Sequence, residues 1–212
     1  DIETIPAQDP EVVFDIRSQI KPPASMKKQE SIDTWFAEHG EQAGADLVAK
    51  TSFDGARGHV CTIAWAVNDG VIESRKAIQV DHEDPLVRDF LGSLPAYKSV
   101  IFVGHNIAGF DLPFLRKRAI ILGVTLPQQF PRDVKSWDKN IHDTMTMWAG
   151  RRDTISMDNL CKALGIPGKS GMDGSQVAQA WSDGRHDEIE QYCRDDVERT
   201  RLIHQKFLAV GW

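Results

Sequence analysis

Apolar residues fall into two patterns along this chain, and each predicts a different element. Residues 59–67 (HVCTIAWAV) and 98–103 (KSVIFV) are short, nearly continuous apolar runs rich in β-branched side chains, the pattern of buried strands. Asn68-Asp69-Gly70 closes the first run with a turn, and residues 71–80 read as its returning partner. Elsewhere the apolar positions recur at helical spacing. Residues 111–122 carry Leu112, Phe114, Leu115, Ala119 and Leu122 on one side and stop at Gly123; residues 157–164 follow the capping residue Ser156 and stop at Gly165. The longest helical pattern covers 186–209, with Ile189, Cys193, Val197, Thr200, Ile203 and Phe207 in rough register. A further helix is expected over 85–94 with Pro85 at its first position, a brief strand over 141–144 running into a helix through Met147, and a short helix ending at Trp181.

One stretch breaks this rhythm. Pro6, Pro10, Pro22 and Pro23 among polar residues predict a loop-rich insertion over about 5–50, with a short strand or helical turn at 12–16. Ile32, Trp35, Phe36, Ala43, Leu47 and Val48 predict a helix over 31–50, interrupted near Gly40. Residues 124–140 read as irregular, and 165–174 as a glycine-rich loop. Strands alternating with helices predict an α/β fold, a mixed central β-sheet flanked by α-helices, as a single domain over residues 1–212.

Composition adjusts this picture only at its margins. The chain is 41% hydrophobic and 26% charged, ordinary for a soluble globular protein. No apolar run approaches the roughly 20 residues of a membrane span, so no membrane partner is expected. Cys61, Cys161 and Cys193 are odd in number and in no C-x-x-C pair, and read as reduced, buried thiols of a cytoplasmic protein. A net charge of −6 argues against non-specific nucleic-acid binding, but not against an enzyme whose carboxylates hold cations.

The candidate chemistry is acidic. In a strand, Asp1 and Glu3 share one face, and two such carboxylates repel unless a cation lies between them. Asp111 sits at a strand-to-helix junction, where it could cap the helix, but also where α/β sheets gather their active sites. Tyr192 and Asp196 lie four apart on one face of the last helix, a face that also carries apolar residues. An inward-facing carboxylate is costly without a partner, and a metal ion is the simplest one expected for Asp196.

Taken together, Asp1-x-Glu3, Asn106-x-x-x-Phe110-Asp111 and Tyr192-x-x-x-Asp196 resemble the three motifs of the DEDD, or DnaQ-like, 3′→5′ exonucleases, in the branch with tyrosine in the last motif. The strings GHNIAGFDLPFLRKRA and YCRDDVERT resemble stand-alone exonucleases related to the proofreading domain of family B DNA polymerases. The resemblance implies an RNase H-like fold and a two-metal site, with Mg²⁺ or Mn²⁺ held by Asp1, Glu3, Asp111 and Asp196 and with Tyr192 orienting the attacking water. It implies that Thr4, Asn106 and Phe110 touch the terminal nucleotide. It further implies single-stranded DNA as the favoured substrate, with RNA the alternative in the same branch, and a replication or repair partner in a bacterial or phage-infected cytoplasm. A binding module with little turnover is the reading from a different class.

Weaker candidates flank these motifs. Asp143 either supports the metal site from behind or caps a helix. Arg116, Lys117 and Arg118 either steer nucleic acid or form the solvated face of a helix. Lys169 lies in a stretch, 163–170, that matches a loosened phosphate-loop pattern; because it follows a helical pattern rather than a strand, the match is read as accidental, although Lys169 could still reach a phosphate. In an RNase H-like sheet the first strand enters the centre before its catalytic pair, so a short apolar strand is expected upstream of Asp1.

Overall fold

The computed structural model describes residues 1–96, 100–168 and 171–212. Strand β1 (Ile2–Ile5) runs antiparallel to β2 (His59–Trp65), which pairs antiparallel with β3 (Glu73–Lys76). β4 (Phe102–Gly104) and β5 (Ile141–Asp143) form a separate parallel pair. Both pairing directions expected of a mixed sheet are therefore present, as two ladders, order β1-β2-β3 and order β4-β5. The long 59–67 run is a strand because it is buried on both faces: Val60 through Ala64 are at most 1% exposed. The β1–β2 register shifts between Glu3↔Thr62 and Thr4↔Val60. Cys61 is the extra residue of this bulge, and its thiol donates to the Glu3 carbonyl at 3.4 Å.

Helices cover both faces. On one side α3 (Glu83–Ser93) and α4 (Asp111–Leu122) pack on β2, burying Ile2, Val60, Ile63, Phe90, Leu112 and Leu115 together. On the other side the 23-residue α8 (His186–Leu208) crosses β2, β3 and β4 and packs against α5 (Thr144–Ala149), α6 (Met157–Leu164) and α7 (Val177–Ser182). The expected stops hold: Gly123 and Gly165 adopt left-handed backbone after α4 and α6. Pro85 is the third residue of α3 rather than its first. Cys61, Cys161 and Cys193 are all free and buried.

The insertion differs most from its expectation. Residues 10–18 form α1 (Pro10–Ser18), not a strand or single turn, because the Asp9 carboxylate accepts the N–H groups of Glu11 and Val12 and Pro10 takes the first helical position. α2 (Gln29–Ala49) is continuous through Gly40. Gly44 serves packing: a Cβ there would lie 3.1 Å from Ile20 Cδ1 and 3.3 Å from Arg17 Cγ. The chain then returns through a 3-10 turn, Lys50–Phe53, beside β1.

Behind the sheet lies a buried ion pair. Arg118 donates to both Glu83 oxygens, at 2.8 and 2.7 Å, and His59 Nδ1 stands 2.9 Å from the same carboxylate. Burial alone would lift the Glu83 carboxyl, but His59, Arg118 and the Val60 N–H outweigh it and hold it below the usual range.

Candidate active site

Three elements supply the candidate residues. Asp1 immediately precedes β1 and Glu3 lies in it, Asp111 opens α4, and α8 carries Tyr192 and Asp196. The Ile2 N–H donates to Asp111 Oδ1 at 3.2 Å, tying β1 to α4. Asp111 is 6% exposed, and burial pushes its carboxyl up; the amino terminus, its own N–H and that of Ile2 pull it back, while Asp143 pushes further. Cys193 donates to the Asp1 carbonyl and carboxylate at 3.5 and 3.6 Å.

Tyr192 is held firmly protonated. Burial raises it most, followed by the charges of Glu3 and Asp196 and a hydrogen bond with Asp196. Burial likewise raises the Cys193 thiol, with Glu3 and Asp111 adding to it. These shared influences put Glu3, Asp111, Tyr192, Cys193 and Asp196 in one electrostatic neighbourhood. Asp196 has a protein counter-ion where a metal alone was expected: Arg199 Nη1 donates to its Oδ1 at 2.5 Å. Arg199 is itself buried, and its other nitrogen reaches the Gly168 carbonyl at 3.5 Å. Cys193 was expected as a buried thiol and not beside the carboxylates, and Arg199 was not singled out, although the i, i+3 spacing of Asp196 and Arg199 was readable.

Donor chemistry fits a hard divalent cation. Ligand atoms of Asp1, Glu3 and Cys193 all lie within 4.8 Å of one another, but a thiol with so high a pKa offers a proton rather than a thiolate. That leaves carboxylate oxygens, which suit Mg²⁺ or Mn²⁺ over zinc. The carboxyl of Asp111, buried and raised, is a group that an added positive charge would stabilise in its ionised form.

The remaining candidates separate into those beside the site and those engaged elsewhere. Asp143 caps α5 and also accepts the N–H groups of Asn106 at 3.0 Å and Ala108 at 3.1 Å, so one buried carboxylate holds the loop between β4 and α4. In that loop Asn106 is left-handed, φ 62°, and a Cβ on Gly109 would lie 2.5 Å from Asn106 Oδ1. Phe110, half-buried, stacks at a tilt against Phe114 and against the exposed Phe53 of the insertion's 3-10 turn. The Thr4 hydroxyl donates to the Ser52 carbonyl at 2.7 Å. His105 is hydrogen-bonded between Thr144 and the Ile155 carbonyl.

The basic cluster on α4 is not a free cationic face. Arg118 is buried on Glu83, Lys117 pairs with Asp54 at 2.9 Å, and Arg116 donates to the Arg132 carbonyl. Lys169 lies outside the described residues, and the helix α6 before it supports the accidental reading of the phosphate-loop pattern.

The chain is similar to known DNA polymerases over part of their length. The DNA polymerase of Archaeoglobus fulgidus is 24% identical over 152 residues, which is 61% of this chain and 18% of that protein. The family B DNA polymerase of the hyperthermophilic archaeon Pyrobaculum calidifontis superposes with a TM-score of 0.58 at 24% identity, covering 73% of this chain and 22% of that one. The chain thus spans about a fifth of each relative's length. A family profile described as a predicted 3′-5′ exonuclease related to the exonuclease domain of PolB matches residues 58–210, which includes the second and third motifs and excludes Asp1 and Glu3. The chain belongs to this family of predicted 3′→5′ exonucleases related to the exonuclease domain of family B DNA polymerases, an α/β domain of RNase H-like fold.

Proposed function

We propose that the protein is a divalent-metal-dependent 3′→5′ exonuclease that hydrolyses single-stranded DNA from its 3′ end and releases nucleoside 5′-monophosphates. The observation that carries this reading is the meeting of β1, α4 and α8 at one acidic neighbourhood with a protonated tyrosine beside it. Asp1, Glu3, Asp111 and Asp196 would hold two Mg²⁺ or Mn²⁺ ions. Such ions, when bound, neutralise phosphate charge, activate water and stabilise the leaving oxygen. The chain's own residues then position the reactants. Tyr192 keeps its proton and orients water through its hydroxyl oxygen rather than acting as a base. Arg199 fixes the rotamer of Asp196, and Asp143 fixes the loop that presents Asn106. Phe110 packs against the terminal base or sugar, and Thr4 borders it. The enzyme would act in the cytoplasm alongside replication or repair proteins.

The test incubates 3′- and 5′-labelled single-stranded DNA, duplex DNA and RNA with wild-type protein, Asp111→Asn and Asp196→Asn, in Mg²⁺ or Mn²⁺. Stepwise shortening of 5′-labelled single-stranded DNA, lost in both variants and in chelator, is the expected result. Faster digestion of RNA would reassign the substrate. Metal-dependent thermal stabilisation without any nucleotide release would make the protein a binding module, and turnover by Asp196→Asn at saturating Mn²⁺ would overturn the site.

A further inference from the structure

The two helices of the insertion lie side by side over only part of their length. The Ala7 N–H donates to Thr51 Oγ1 at 2.8 Å, so α1 begins beside the carboxyl end of α2. At the other end of α1, Arg17 and the following Ile20 come against Gly44. α1 therefore runs antiparallel to α2 and covers its last turns. Residues 29–39 extend beyond it by roughly 16 Å at 1.5 Å per residue. Met26 of the connecting loop shares a groove there with Glu30, Thr34, Trp35 and Glu38. The main packing partners of α2 are α1 and the 3-10 turn that follows it, not the sheet.

The face of α2 turned away from the buried Gly40 and Gly44 carries a regular stripe. Lys28, which precedes the helix, Ile32, Trp35, His39, Gln42 and Asp46 are spaced alternately four and three apart. That spacing keeps one helix face against another along a shared seam. Ile32 and Trp35 are half-buried, and the other four are exposed. The stripe opens on a lysine and closes on an aspartate. Turned end for end about residue 37, it matches itself: Lys28 meets Asp46, Ile32 meets the aliphatic part of Gln42, and Trp35 meets His39. A parallel match would set like charges together. α2 also holds five carboxylates, Glu30, Asp33, Glu38, Glu41 and Asp46, and no Lys or Arg, while Lys27 and Lys28 stand just before it. Only the antiparallel arrangement brings those lysines to the acidic carboxyl half of another α2.

We propose that this stripe is a dimerisation seam, on which α2 of a second copy of the chain lies antiparallel across a two-fold axis near residue 37. The two hairpins then form a four-helix assembly. An isologous contact makes every pairing twice, so two Lys28–Asp46 ion pairs flank a centre built of two Trp35–His39 contacts. The seam is short and partly polar, which places the association among weak, reversible ones. The proposal rests on the insertion alone and stands whether or not the protein is a nuclease.

Sedimentation velocity of the full chain over about 5–500 μM tests it, a range suited to a weak interface. The average mass should rise from one chain towards two. Trp35→Ala and Lys28→Asp should each weaken the association about tenfold or more. Asp46→Lys added to Lys28→Asp should restore it, because the ion pair is then reversed in place. In a second measurement, Ile32→Cys combined with Gln42→Cys should give a disulfide-linked dimer under mild oxidation, while either substitution alone should not. A chain that stays monomeric throughout would overturn the proposal and leave the stripe to a different partner. A dimer indifferent to Trp35→Ala and Lys28→Asp would overturn it by placing the contact on another surface, and failure of Asp46→Lys to restore the Lys28→Asp variant would overturn the antiparallel register.

Discussion

The phenol of Tyr192 is surrounded by burial and by the negative charges of Glu3 and Asp196, so it does not ionise in the range where the enzyme works. Tyr192→Phe should therefore fold normally and lower kcat by about 10²-fold, while the alkaline side of the kcat–pH profile keeps its shape. A profile whose alkaline limb vanished in the variant would show that the tyrosine titrates. Away from the site, Glu83 and Arg118 are buried together at 1% and 4% exposed. Removing one charge strands the other, so Glu83→Gln should cost about 3–5 kcal/mol by chemical denaturation. Its pH dependence has a definite sign. A carboxyl held below the usual glutamate range in the fold contributes stability that is fully present above that range and is lost as pH falls through the lower folded value. Urea unfolding between pH 6 and 3 should accordingly be flatter in Glu83→Gln than in wild type. By contrast, the exposed Lys117–Asp54 pair should be worth at most about 1 kcal/mol.

Among the elements, the loop between β4 and α4 depends on a single side chain. Asp143 serves the α5 cap and two loop amides together. Asp143→Ala should lower stability by about 2 kcal/mol and reduce kcat/KM through the displaced Asn106, while Asp143→Asn, which keeps one acceptor oxygen, should lose less of both. Comparing melting temperature with kcat/KM for the two variants checks this. The elements that could be read from sequence are those whose signals are local: α4, α6 and α8 carry helical periodicity, and α4 and α6 their own stops. α1 is longer than the short strand or helical turn expected at 12–16 because Asp9 caps it and Pro10 opens it. The break expected near Gly40 is absent because α2 continues through it, and the glycine with an external neighbour is Gly44, approached by Arg17 and Ile20 from outside α2. Arg199 as the partner of Asp196 was hidden for a different reason: a charged residue in a charged helix gives no sign of being buried.

For the whole molecule, a net charge of −6 and the pairing of Lys117 with Asp54 and of Arg118 with Glu83 leave little general attraction for a polyanion. The apparent affinity for single-stranded DNA should thus fall with salt at a log–log slope shallower than about 2, corresponding to few phosphate contacts. Fluorescence anisotropy with a chelated, non-turning-over sample and with Ca²⁺ measures that slope. Among the described residues no helix is long and apolar enough to cross a membrane. The insertion leaves and rejoins the sheet at one point, where the Ala7 N–H meets Thr51 Oγ1 at 2.8 Å and Thr4 meets Ser52. None of the three buried apolar clusters among the described residues draws a side chain from α1 or α2. The stretch between residues 8 and 50 is accordingly an exchangeable cassette. A short linker or a foreign domain with closely spaced termini could be spliced there, provided Thr51 and Ser52 are kept, and the first acidic motif would not register the change.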